Sequence, residues 1–352
     1  MTTGPTLTRR GFSHTLPSAL VAVVAALAPT STAWIGGNGG LRADGPAAGP
    51  SGSVYQRPAA PAPASVVPPG GGEGAAGSPP DESAADRAAR AERVVAASLA
   101  GMARASTLSA RVRHLVRFDD VVAKGGGRYV QSGVGEEQRY RYEYRLTTGE
   151  EECEVLDVCD GLFAWNFRRI GPFPPSVERI DVRRVRERLE SLGVTHRKDQ
   201  SAYLGGVQRH LSLLRQFFRF RSIESGTIDD VPVWTVEGGW DLDTLAWIVK
   251  DKADVIKSPA GIPPHELPDG MPYSVRLSIS KRELFPCRVE WLAVPGKRPV
   301  PAAAPQVVAM LEFYDIRIGE PVDVSAFVYK PATEGLTDIT ESYIPQVHPL
   351  RP

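Results

Sequence analysis

From Arg139 to Leu146 the chain reads Arg-Tyr-Arg-Tyr-Glu-Tyr-Arg-Leu, and no other run limits the fold so tightly. Tyr140, Tyr142, Tyr144 and Leu146 alternate with Arg139, Arg141, Glu143 and Arg145. A period of two sends successive side chains to opposite faces of a strand. One face here is made of rings and the other of charges, which is the pattern of a half-buried antiparallel strand. Val112, His114, Val116 and Phe118 alternate in the same way with Arg111, Arg113, Leu115 and Arg117. Gly125-Gly126-Gly127 predicts a hairpin tip, with a return strand over 128–132. Further short strands are predicted at 154–158, 162–167, 231–238, 274–280, 287–294, 307–318 and 326–329.

Helical spacing appears at the start and in the middle. A run rich in Ala, Arg and Glu predicts a helix from about Ser83 to Ala105, with Val94, Val95, Leu99 and Met102 on one stripe. Asp181 caps a second helix carrying Val182, Val185, Leu189 and Leu192, stopped by Gly193. A third runs from Gly206 to about Phe218, and residues 241–250 read as a short helix or a broken strand. Nine or ten antiparallel strands with these helices make a mainly β, α+β chain.

Composition divides the chain. Between Ile35 and Glu82, 21 of 48 residues are Gly or Pro, which cannot build a core. Residues 34–83 are therefore expected to be a disordered spacer, or else a dispensable tail, and 84–352 the folded domain. Residues 1–33 read as an export signal. Arg9-Arg10-Gly11-Phe12 precedes the apolar run 16–28, and Ser31-Thr32-Ala33 offers a small-residue cleavage site. The paired arginines resemble the twin-arginine signal, and retention as an uncleaved anchor is the alternative. The expected location is the periplasm or cell envelope. With 41 basic and 41 acidic residues, the chain lacks the basic excess of a nucleic-acid binder.

The order of elements resembles the LolA-like superfamily, exported proteins related to the periplasmic outer-membrane lipoprotein carriers. The segments that carry the resemblance are 93–118, Val231-Pro232-Val233-Trp234, Phe285-Pro286-Cys287 entering a strand, and 321–331. The resemblance implies a strongly curved antiparallel sheet forming an unclosed β-barrel, an N-terminal helix, and helices covering the concave face. It also implies a lipid or acylated protein as ligand, or a membrane-protein partner. It transfers no single residue as a lipoprotein-binding position, and the loop around 250–272 departs from the carriers.

Residue chemistry offers no catalytic anchor. His265-Glu266 lacks a second His four residues on, no Gly-x-Ser-x-Gly or phosphate loop is present, and the six histidines show no metal spacing. Neither a cofactor nor a metal is expected. Cys153 and Cys159 are too far apart on one strand to bridge. Cys287 pairs with one of them only if their strands adjoin; otherwise all three are buried thiols.

The candidate binding surface is an apolar cavity. Tyr140, Tyr142, Tyr144 and Trp165 are expected to share one sheet face with Phe163, Trp234 and Trp291. Leu211, Leu214, Phe217 and Phe218 of the third helix are expected to cover it. An acyl chain would bind such a cavity at about 0.8 kcal/mol per buried CH₂. The plainer alternative is an ordinary packed core without a hole. The arginines on the outer face are expected to form solvated cross-strand pairs, with phosphate contact as the alternative. Two functions follow: a non-enzymatic carrier of a lipid or acyl group, or an envelope interaction or sensor module that binds a protein partner.

Overall fold

The computed structural model describes residues 83–118, 121–149, 151–193, 205–268, 271–294, 305–331 and 335–347. The expected export segment lies outside these residues, as does the spacer apart from Ser83.

Twelve strands form one sheet. The first six are β1 (Thr107–Phe118), β2 (Val121–Ser132), β3 (Arg139–Thr148), β4 (Glu151–Cys159), β5 (Phe163–Ile170) and β6 (Ser176–Asp181). The second six are β7 (Phe218–Ile228), β8 (Val231–Trp240), β9 (Ser274–Ser280), β10 (Pro286–Ala293), β11 (Gln306–Ile318) and β12 (Leu336–Asp338). Their spatial order is β12-β6-β5-β4-β3-β2-β1-β11-β10-β9-β8-β7. Every neighbouring pair is antiparallel except β12 with β6. The end strands β12 and β7 do not pair with each other, so the sheet remains an unclosed barrel.

Among the described residues six helices accompany it: α1 (Ala84–Arg104), α2 (Val182–Ser191), α3 (Gly206–Phe217), α4 (Leu242–Ile248), α5 (Ala253–Lys257) and α6 (Thr340–Val347). Helix α1 begins where Ser83 accepts a hydrogen bond from the Asp86 amide at 3.1 Å. Its stripe Ala91, Val95, Leu99 and Met102 is buried. Asp181 caps α2 through the Arg184 amide at 3.0 Å, as its position before the apolar stripe requires. Helix α3 lies in the concavity, with Val207 through Leu211 and Leu214 all buried.

Several expectations change. Gly125-Gly126-Gly127 is not a hairpin tip but the middle of β2, and the chain reverses between Phe118 and Val121. The glycines serve close approach instead. A Cβ on Gly125 would sit 1.7 Å from the Arg145 carbonyl oxygen, and one on Gly127 would sit 1.8 Å from that of Glu143. Residues 326–329 are not a strand, because Asp323 accepts from the Ser325 amide at 2.9 Å and starts a 3₁₀ turn over Val324–Phe327. Strands β6, β7 and β12 were not anticipated. The β7–β8 turn is Asp229-Asp230, with φ of 45° and 65°, a left-handed pair usually signalled by Asn-Gly.

Candidate functional site

Register decides which side chains share the concave face. Tyr140, Tyr142 and Tyr144 of β3 stand opposite Gln131, Tyr129 and Gly127 of β2, and opposite Cys159, Asp157 and Val155 of β4. All three tyrosines are buried and face α3. The face continues through His114 of β1, Phe313 and Leu311 of β11, Val289 and Trp291 of β10, and Leu277 of β9. Trp234 joins it beyond Ile279, but at the rim. There the Arg90 guanidinium lies 4.6 Å and the Lys281 ammonium 4.1 Å from the ring centroid.

Trp165 is a correction. Cys159 pairs with Ala164 and Asp157 with Asn166, so Ala164 and Asn166 point inward. Trp165 and Phe163 therefore occupy the convex face, where the Trp165 ring lies 6.1 Å from that of Tyr329. The Asp160-Gly161 turn sets this phase. Asp160 accepts from the amides of Leu162 and Phe163 at 2.8 Å each, and so fixes where β5 starts.

Helix α3 brings Leu211 and Leu214 down onto the sheet. Phe217, half-buried, reaches toward Trp240 at 6.3 Å between ring centroids. The space beneath the helix is nearly filled. A residual gap of about 10 Å³ remains among Leu211, Leu214, Val289, Trp291, Leu311 and Phe313. That is too small to hold even a water comfortably. Among the described residues, the gap beneath α3 is thus far smaller than the expected open cavity. The reason is packing, since α3 lays its apolar face between the walls. A second recess of about 160 Å³ opens between the end of α1 and the β9–β10 turn, over Met102, Leu108, Phe285 and Ile318. It is smaller than an ordinary ligand pocket.

Sequence reasoning missed a polar layer inside the concavity. Gln208 of α3 donates to the Met102 carbonyl at 3.1 Å and to Gln131 Oε1 at 3.3 Å. Gln131 in turn donates to the Met102 and Ala105 carbonyls, and accepts from the Tyr129 hydroxyl at 2.8 Å. His114 and Tyr142 share a hydrogen bond of 2.5 Å, and the His114 ring lies 4.3 Å from that of Tyr144. The His210 ring meets Tyr142 edge-on at 5.9 Å. Arg209 lies 5.1 Å from the Tyr343 ring centroid. Asp157 is fully buried, and neither carboxylate oxygen has a hydrogen-bond partner; the Tyr144 hydroxyl and Asn166 Nδ2 are also unpartnered.

Burial dominates the titration of this layer. It pushes the Asp157 carboxyl up to about 6 against the opposing pull of Arg168. It presses His114 down to about 3, with His210 adding to the effect, so the imidazole is neutral at physiological pH. The tyrosine hydroxyls rise well above their usual range for the same reason. Cys153, Cys159 and Cys287 are buried free thiols, pushed up by burial to about 11, 12 and 11. Among the described residues no three His, Cys, Asp or Glu groups come together as a metal site. None of the described helices is long and apolar enough to cross a membrane.

No family model matches the chain, and no curated protein matches it. Solved structures do. The lipoprotein LppX of Mycobacterium tuberculosis is similar over 67% of this chain and 98% of its own, at 11% identity and a TM-score of 0.28. A LolA superfamily protein from Nitrosomonas europaea is similar over 68% of this chain and 97% of its own, at 12% identity and a TM-score of 0.21. MucB, solved in complex with MucA(peri), is matched over 69% of this chain and 60% of its own, at 10% identity and a TM-score of 0.27. The chain thus spans 60% of the MucB chain, less than two thirds of its length. This chain's own topology sets one helix ahead of an open antiparallel sheet and another in its concavity.

Proposed function

We propose that the protein is a non-catalytic binding protein of the cell envelope that takes up the acyl chain of a lipid or acylated protein beneath helix α3. The observation that carries this reading is the mismatch at the α3–sheet boundary. One helix covers a face of aromatic and aliphatic side chains, yet inserts Gln208, Arg209 and His210 into the buried interface. The same inward sheet face holds a carboxylate, a hydroxyl and an amide nitrogen without partners, those of Asp157, Tyr144 and Asn166. Buried unsatisfied polar groups each cost about 1–3 kcal/mol, so the plug is seated less favourably than an all-apolar helix would be. Moving this one element exposes the apolar stretch of Val289, Trp291, Leu311 and Phe313, bordered by the polar layer. Export by residues 1–33 into the cell envelope and a spacer at 34–83 belong to the same reading.

Competition between plug and ligand supplies the test. Leu214→Ala removes plug packing, and Leu→Ala in a core costs about 2–5 kcal/mol. A destabilised plug raises the binding-competent fraction and therefore the apparent affinity. Titration with the fluorescent acyl probe cis-parinaric acid should show saturable binding, tighter in Leu214→Ala by tenfold or more. Absence of binding in both proteins would overturn the reading.

A second reading is favoured by one observation, the residual gap of only about 10 Å³. A half-barrel that stays filled is a rigid scaffold, suited to presenting its surface to a protein partner. Cross-linking in the producing cell that captures one envelope protein, in a variant unable to bind the acyl probe, would support it.

A further inference from the structure

The chain has equal numbers of acidic and basic residues, yet the convex face is far from neutral. Strand β1 turns Arg111, Arg113 and Arg117 outward, the face opposite to Val112, His114 and Val116. Strand β2 adds Lys124 and Arg128, and β3 adds Arg139, Arg141 and Arg145. Glu143 is the one acidic residue anywhere in these three adjacent strands. Eight cations against one anion leave +7 on a patch three strands wide.

The surrounding carboxylates cancel only part of it: Asp315 pairs with Arg111 and Glu152 with Arg145, each at 3.9 Å, while three others are each shared by two arginines. Glu143 pairs with both Arg128 and Arg141. Glu312 on one flank pairs with Arg113 at 2.5 Å and also with Arg288. Glu154 on the other flank pairs with Arg145 at 3.1 Å and Arg169 at 2.6 Å. The Glu143 and Glu312 triads each keep one positive charge, whereas Glu152 balances the one around Glu154. Arg111 stands directly opposite Arg128 in the β1–β2 ladder, a like-charge pairing that destabilises a sheet. Arg117, Lys124 and Arg139 have no acidic partner among the described residues, and all three are exposed.

We propose that the convex face of β1–β3 is an electrostatic docking surface for an anionic lipid bilayer. Arginines suit phosphate head groups because the guanidinium offers paired donors that match phosphate oxygens. The patch lacks what a protein partner would need. A protein interface is anchored by large apolar or aromatic groups in a desolvated centre. The apolar residues pointing outward here, Leu115, Val122 and Val130, are all partly covered by their neighbours. Docking by this face leaves the concave face and its helix free, so it does not depend on what the concavity holds.

Vesicle sedimentation tests the assignment. Vesicles of equal phosphatidylglycerol and phosphatidylcholine should retain the protein at low salt, and vesicles of phosphatidylcholine alone should not. Each basic residue near an anionic surface contributes about 1 kcal/mol, or about fivefold. The triple reversal Arg111→Glu, Arg117→Glu, Lys124→Glu should therefore weaken retention by tenfold or more. These residues are exposed and none holds a buried carboxylate, and thermal unfolding of the variant confirms that it is folded. A control reversal at Arg183, Lys250 and Arg282, cations exposed elsewhere, should bind as the parent does. Equal retention of the two variants, or failure of the parent to bind phosphatidylglycerol vesicles, would overturn the proposal. Acyl-probe binding by the triple variant should be unchanged, which separates this result from any failure of the cargo reading.

Discussion

At the scale of single residues, the interior is governed by a few groups whose charge is suppressed by burial. Asp157 is ionised in the unfolded chain above about pH 4 and holds its proton in the folded one to about 6. Between those values the folded state binds one more proton, so this group's contribution to stability grows as pH falls from 6 to 4. Asp157→Asn removes that contribution. Chemical denaturation at a series of pH values should show the variant losing about 1.4 kcal/mol per pH unit relative to the parent across this window. A constant difference between the two proteins would mean Asp157 is solvated. His114 acts in the opposite direction, since its depressed value withdraws stability as pH falls from about 6.5 toward 3. None of this was visible in the sequence. The alternation at Tyr140–Tyr144 revealed a buried face, but Asp157 lies in the run Glu154-Val155-Leu156-Asp157-Val158, where nothing marks the carboxylate as inward-facing. Its orientation comes from pairing with Tyr142 across β3–β4.

At the scale of elements, periodicity was legible wherever one face meets water. Strands β3, β8, β9, β10 and β11 and helices α1, α2 and α3 stand close to their expected positions. What failed was local chemistry that tertiary context overrides. The glycine triplet resembles a turn in isolation, but here it lets β2 lie against the β3 backbone. Trp165 looked like a cavity residue until the β4–β5 register put it on the other face. The glycine account carries its own test. Gly127→Ala should destabilise the protein by about 3 kcal/mol, because a methyl cannot fit against the Glu143 carbonyl. Gly239→Ala, where a Cβ meets nothing within 4 Å, should cost under about 1 kcal/mol in the same denaturation experiment. Comparable losses at both positions would show that strand propensity, rather than close approach, fixes the triplet.

At the scale of the whole molecule, overall neutrality conceals two unlike faces. The outside of β1–β3 concentrates cations, while the inside concentrates rings and aliphatic groups under a helix with a mixed polar underside. The antiparallel strands follow from the sequence because their side chains alternate, whereas the open, curved arrangement is what the resemblance implies. The state of the interior does not follow from the sequence, because the same inward residues serve a cavity or a filled core, and only the position of α3 distinguishes the two. The central claim is that α3 occupies the place of an acyl chain. Native mass spectrometry of protein released from producing cells without detergent tests it most directly. The account predicts a population carrying the added mass of an acyl lipid, which extraction with organic solvent removes. A mass equal to that of the bare chain before and after extraction, in protein that also fails to bind cis-parinaric acid, would contradict it.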